Sequence, residues 1–232
     1  MRELLIGGVE TFSTVDFPDR LAAVVFMQGC PWRCPFCYNQ SIQQIGKETG
    51  FLWAKFIEFL QRRQGKLDGV VFSGGEPLVQ DGLLDAMQEV KSLGFEIGLH
   101  TGGYRPEHLA KVLPIVDWVG LDIKAPLDIE RYKDITKTNH LSAVLQSLDI
   151  LVQSNKDFEC RTTCDPRHLC VEDIYTIAQF LKEKGVKKYF LQQYRPISED
   201  TLTSDYERNK FFNDKDLLAT LKSYFEVFDI RS

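Results

Sequence analysis

Three observations predict an α/β fold built on a parallel sheet. Short apolar, β-branched runs alternate with stretches of helical spacing. The alternation recurs about every 30 residues, the length of one βαβ unit. The chain has 232 residues, 44% hydrophobic and 26% charged, with a net charge of −5. That is globular composition, and such a chain can bury roughly 70% of its unfolded surface without disulfide staples.

The strands are predicted from their buried, near-continuous apolar character. They cover Leu21–Gln28, Gly69–Ser73, Glu96–Thr101, Trp118–Ile123, Phe158–Thr163 and Lys188–Gln193. The helices between them follow from i, i+3, i+4 repeats. Trp53, Phe56, Ile57 and Leu60 make the first stripe, and Leu83, Met87 and Val90 the second, stopped at Gly94. Arg105–Val112 is a short third. The longest stripe is Leu141, Val144, Leu145, Leu148, Leu151 and Val152. Ile174, Ile177, Ala178 and Leu181 follow, with Gly185 as the stop, and Asp214–Phe228 reads as a terminal helix. Six such units suit either an open doubly wound sheet or a partial barrel. The length points to one domain over residues 1–232, its core from about Thr11 to Arg195 and a C-terminal loop and helix after it.

Composition narrows the function classes. A protein that tracks nucleic-acid phosphates is normally basic, and this one is acidic. The longest apolar run near the N-terminus, Leu21–Met27, is too short to span a bilayer. Nothing before it has the layout of a signal peptide. A cytoplasmic protein is expected, bound to neither membrane nor nucleic acid. In that compartment the six cysteines point to metal binding or catalysis rather than disulfides.

Cys30-Pro-Trp-Arg-Cys34-Pro-Phe-Cys37 places three thiols within eight residues, after the first predicted strand. Three thiolates can hold three corners of an iron–sulfur cubane and leave the fourth iron open. The alternative is a structural zinc site, which needs a fourth ligand. No His or Cys lies within twenty residues after Cys37. Ser73-Gly74-Gly75-Glu76-Pro77 ends the second predicted strand, and paired glycines let a ligand approach the backbone.

This combination resembles the radical S-adenosylmethionine (SAM) superfamily, and the likeness runs from about Thr11 to Arg195. It implies a partial (β/α)6 barrel, a [4Fe-4S] cluster on Cys30, Cys34 and Cys37, and SAM chelating the open iron. Further motifs resemble the activating enzymes of glycyl-radical enzymes. They are Glu10–Asp16, Val25–Cys30, Tyr38-Asn39-Gln40, Leu99–Gly103, Asp117–Lys124, Arg161–Thr163 and Gln192–Arg195. The narrowest likeness is to the longer form of anaerobic ribonucleoside-triphosphate reductase activating protein, with pyruvate formate-lyase activators as near neighbours.

All of these motifs except Glu10–Asp16 fall at the C-terminal ends of predicted strands, the catalytic face of (β/α) barrels. By resemblance, backbone around Phe36 and Tyr38 meets the adenine, and Gly74, Gly75 and Glu76 hold the methionine amino group. Lys124 and Arg161 suit a carboxylate or ribose, Arg195 falls in the adenosine pocket, and Ser73, Thr101 and Asp122 complete the cofactor contacts. No catalytic residue is expected beyond cluster and cofactor. Related activases carry an aspartate at the position of His100, which helps bind a monovalent cation in pyruvate formate-lyase activators. An imidazole there puts cation dependence in question and leaves Asp122 as a remnant of that site.

The implied reaction is one-electron reduction of SAM to methionine and a 5′-deoxyadenosyl radical, which takes hydrogen from a glycine on the partner enzyme. The partner is an anaerobic ribonucleotide reductase, and the electron donor a flavodoxin or ferredoxin. Pro196–Asn213 is expected to contact the partner. Three rivals stand beside this reading: a radical enzyme acting on a small molecule, an electron carrier and a zinc-binding interaction module. A second group, Cys160, Cys164 and Cys170, fits no ferredoxin spacing and reads as core packing. The eight-cysteine ferredoxin insertion of some activases is missing.

Overall fold

The computed structural model describes residues 4–196, 204, 207 and 209–231. Among these the elements run β1 (Ile6–Ser13), β2 (Ala22–Met27), α1 (Trp53–Gln61), β3 (Gly69–Gly74), α2 (Leu83–Ser92), β4 (Glu96–Thr101), α3 (Pro106–Val112) and β5 (Trp118–Asp122). They continue with α4 (Ile129–Thr136), α5 (Leu141–Gln153), β6 (Asp157–Cys164), α6 (Val171–Glu183), β7 (Lys188–Gln193), α7 (Lys210–Asn213), α8 (Lys215–Tyr224) and β8 (Val227–Arg231). Strand order in the sheet follows chain order from β1 to β8, so the sheet is open, and the fold is the expected α/β class.

The chain forms two compact units. The first comprises Met1–Trp32, Asn39–Gly120 and Ala143–Asp157. Here β2, β3 and β4 pair in parallel, Ala22 opposite Gly69 and Gly69 opposite Glu96. Ala22 to Val25 and Val70 to Phe72 are fully buried, which is why these strands read as unbroken apolar runs. Phe17, from the turn after β1, packs with Val24, Val71 and Trp118 and stacks on the Trp118 ring at 5.7 Å. A Cβ at Gly69 would lie 2.8 Å from the Phe17 ring, so only glycine admits that ring.

The second unit comprises Arg33–Tyr38, Leu121–Ser142 and Phe158–Ser232. In it β6, β7 and β8 pair in parallel, with Cys160 opposite Tyr189 and Tyr189 opposite Phe228. Glu159 is buried and takes both arms of the Arg231 guanidinium, which anchors β8.

Three elements depart from expectation. β1 is an antiparallel edge strand containing Glu10–Ser13, ahead of what was expected to be the first strand. Its residues from Gly7 to Phe12 are partly or fully exposed, so it lacks an apolar run. The terminal segment is not one helix to Phe228. α8 ends at Tyr224, Phe225 turns inward against the Tyr189 ring at 5.1 Å, and β8 follows. Helix α4 was not anticipated. The Asp128 carboxylate accepts from the Glu130 and Arg131 N–H groups at its start, and Tyr132, Ile135 and Thr136 are buried. Most of Pro196–Asn213, the expected partner contact, lies outside the described residues. No helix among the described residues is long and apolar enough to cross a membrane.

Candidate functional site

In the first unit, the chain entering the cysteine loop is held on both sides. The Gly29 and Cys30 N–H groups donate to the carbonyls of Ile42 (2.7 Å) and Gln43 (3.0 Å). On the other side, the Gly75 N–H donates to Met27 O (2.9 Å) and the Glu76 N–H to Gly29 O (2.8 Å). The Gly-Gly-Glu turn is therefore stitched to the residues just before Cys30. This explains the glycines. A Cβ on Gly75 would sit 2.1 Å from the Gly29 oxygen, and one on Gly74 2.3 Å from the Met27 nitrogen. Gly74 also has φ +113°, a conformation disfavoured for other residues. A larger residue at Gly75 would therefore strike main chain before any ligand. The Asn39 amide adds a bond to the Gly74 carbonyl at 3.3 Å.

The Glu76 carboxylate is 1% exposed. It accepts from the Thr101 hydroxyl (2.5 Å) and from the N–H groups of Gly102 (2.8 Å) and Leu78 (3.1 Å). The Thr101 hydroxyl in turn accepts from the Gly103 N–H at 2.9 Å, and the Ser147 hydroxyl donates to the Gly103 carbonyl at 3.0 Å. The bonds around Glu76 thus organise the turn after β4. Beside it, His100 Nε2 lies 2.8 Å from the Asp16 carbonyl and Nδ1 3.3 Å from the Ser73 hydroxyl. A carbonyl only accepts, so a neutral ring protonated at Nε2 satisfies both contacts. The Glu10–Asp16 motif thereby acquires a structural task, since Asp16 holds His100 and Phe17 fills the core beneath.

In the second unit lie Cys34, Phe36, Cys37 and Tyr38. The Cys37 N–H donates to Cys34 O at 3.2 Å, and the Arg33 N–H to Thr136 O at 3.0 Å, so the unforeseen α4 supports this turn. Asp122 is the hub of an ionic triad. Arg161 Nε and Nη2 donate to its Oδ1 at 2.9 and 2.8 Å, and Lys124 Nζ to its Oδ2 at 3.3 Å. Arg161 is buried, with its side chain 5% exposed. Burial pushes the Cys34 thiol up to about 11, and Lys124 draws it partly back. The Tyr38 hydroxyl accepts from the Arg195 N–H at 2.7 Å.

Sequence reasoning missed Asp165, Arg167 and Ser147, and gave Tyr194 no task beyond its place in the Gln192–Arg195 motif. Asp165-Pro166-Arg167 carries a turn signal, Asx before proline, that marks a local bend but not its neighbours. The second cysteine group is dispersed. Cys160 and Cys164 are fully buried on β6, and burial pushes both thiols far upward. Cys170 is exposed at the start of α6.

With this geometry in place, the family model described as the radical SAM superfamily matches residues 24–181. A protein of Methanocaldococcus jannaschii, provisionally named a glycyl-radical enzyme activating enzyme, is 30% identical over 210 residues, covering 83% of this chain and 80% of that one. A pyruvate formate-lyase-activating enzyme of Clostridium pasteurianum is 36% identical over 136 residues, 56% of each chain. The crystal structure of QueE from Escherichia coli superposes with a TM-score of 0.57 at 18% identity, over 99% of this chain and 94% of that one. That likeness is one of fold. The chain belongs to the radical SAM superfamily.

Membership implies a [4Fe-4S] cluster and SAM. Cysteine thiols are the donor type that such a cluster takes. Cys30 and Cys34 are buried, Cys37 is half-buried, and all three are free of disulfides. Burial disfavours the Cys34 thiolate, and the positive charge of a bound iron would offset that penalty. Among the described residues no three His, Cys, Asp or Glu side chains are gathered around a point that would hold a single metal ion. A cubane makes no such demand, because each thiolate binds a different iron.

Proposed function

We propose that this radical SAM enzyme is a glycyl-radical-enzyme activase whose partner is an anaerobic ribonucleoside-triphosphate reductase. The observation that carries the proposal is the reach of the likeness. The Methanocaldococcus relative matches over 83% of this chain, beyond the segments that describe the cofactor alone. When bound, the cluster and SAM supply a one-electron reductive cleavage and a radical able to take a hydrogen atom from glycine. Cys30, Cys34 and Cys37 are the cluster ligands in this reading. Backbone around Phe36 and Tyr38 meets the adenine, and Gly74 and Gly75 leave the methionine end close to main chain. Glu76 and Thr101 order the turn beside it, with Ser73 held by His100. Asp122 aligns Arg161 and Lys124 as fixed cations for a carboxylate or ribose, and Arg195 lines the adenosine pocket. The protein works in the cytoplasm and takes its electron from a flavodoxin or ferredoxin.

The similarity to the Clostridium enzyme favours a second reading, a partner of the pyruvate formate-lyase type. Both are tested by mixing anaerobically reconstituted, reduced protein and SAM with each glycyl-radical enzyme of the source organism. A glycine-centred doublet in electron paramagnetic resonance on the ribonucleotide reductase is the expected result. A doublet on the other enzyme selects the second reading. Consumption of a metabolite with no glycyl radical on either overturns both.

A further inference from the structure

We infer that Asp165, Arg167 and Tyr194 are positioning residues for the cysteine loop, acting on Cys37 through the ring of its neighbour Tyr38. All five residues belong to the second unit. Asp165 is fully buried, and a buried carboxylate must be partnered. Arg167 partners it three times, through its backbone N–H (3.0 Å), Nε (2.9 Å) and Nη2 (2.6 Å). These bonds fix the guanidinium plane. Its central carbon lies 4.7 Å above the centre of the Tyr194 ring. Tyr194, itself 1% exposed, stacks on Tyr38 with centroids 6.0 Å apart and planes 14° from parallel.

Tyr38 is 48% exposed, and an aromatic so exposed would ordinarily sample several rotamers. Here its face is held by Tyr194 and its hydroxyl by the Arg195 N–H. One peptide away, Cys37 has its own N–H tied to Cys34 O. The last cysteine is thus restrained from both directions, and one of the two restraints originates at a buried aspartate outside every motif that marks the cofactor. A cofactor ligand must be held within about 0.5 Å of its working position, which loops achieve only with outside support. The consequence for the cluster rests on the reading of Cys37 as a ligand; the restraint itself does not.

The test separates the two. In the metal-free, full-length protein, iodoacetamide labelling is followed cysteine by cysteine by mass spectrometry at one pH. Tyr194→Leu removes the stack, and Tyr194→Phe keeps it. In the first variant Cys37 should label about five-fold faster than in the wild type, the scale of one lost aromatic pair. In the second it should label at the wild-type rate, with Cys160 and Cys164 unchanged in both. Should Tyr194→Leu fail to fold, Tyr38→Leu alters a half-exposed side chain and should speed Cys37 labelling equally. A Cys37 rate within about two-fold of wild type, or equal acceleration at Cys160 and Cys164, overturns the inference, because general loosening opens all sites alike. In reconstituted protein, Tyr194→Leu should alter the resonance line shape of the reduced cluster and Tyr194→Phe should restore it. A wild-type chain that takes up no iron would overturn the ligand reading and leave the restraint to be judged by the labelling alone.

Discussion

Glu76 carries more hydrogen bonds than its place in a short turn motif suggests. Its carboxylate serves Thr101, Gly102 and Leu78 in a buried setting. Removing it strands donors that water cannot reach, and each stranded donor costs about 1–3 kcal/mol. Glu76→Ala should therefore lower the stability of the metal-free protein by roughly 3 kcal/mol, read from urea unfolding. Glu76→Gln should lose less, since its amide oxygen still accepts. Asp122 supports a second expectation. Arg161 occupies one of its oxygens and Lys124 the other, while the nitrogens of His100 are matched to Asp16 and Ser73. Each oxygen of Asp122 already faces a cationic side chain and each nitrogen of His100 already has a partner, so replacing potassium by choline should leave SAM cleavage unchanged. A dependence on potassium would refute this account of Asp122.

At the scale of elements, the turn after β3 and the cysteine loop after β2 behave as one piece of backbone. Two N–H to carbonyl bonds join them, and the glycines leave no room for a Cβ. Gly75→Ala must push the Gly29 carbonyl away and with it the residue before Cys30. Iron bound after reconstitution should fall well below the wild-type content, measured by metal analysis, even though no ligand is changed. Cys164→Ala makes the contrast. Its thiol lies inside β6 against core, so the change removes packing and should cost about 1–2 kcal/mol while leaving iron content intact. Loss of iron in that variant would contradict the packing role. These element-scale facts were partly legible in advance. β2, β3 and β4 are covered on both faces, so their apolar runs announced them. β1 is half exposed, and β8 follows a helix so closely that its residues read as that helix's last turn. α4 is short, and its signal lay in the Asp128 cap rather than in a long stripe.

For the whole molecule, the last strand is secured by the Glu159–Arg231 pair. Glu159 is 2% exposed and cannot shed its charge to water. Breaking a buried pair from one side costs about 3–5 kcal/mol. Arg231→Ala should thus destabilise the protein by that order in chemical denaturation, whereas an exposed pair such as Lys187–Glu226 should contribute almost nothing.

Taken by itself, the sequence determined the α/β class, six of the strands, the three-cysteine loop and the strand ends that carry polar motifs. These follow from properties local to a few residues: hydrophobic period, thiol spacing and glycine in a turn. Only the tertiary structure decided what each polar group does once there. It turned Glu76 toward Thr101, gave His100 the carbonyl of Asp16, set Arg161 and Lys124 on Asp122, and stacked Arg167 on Tyr194 and Tyr194 on Tyr38. Such partners are often tens of residues apart in the chain, up to 156 between Tyr38 and Tyr194. A hydrogen bond or ring contact depends on distances of a few ångströms between side chains, and no local pattern encodes which distant residue will arrive there.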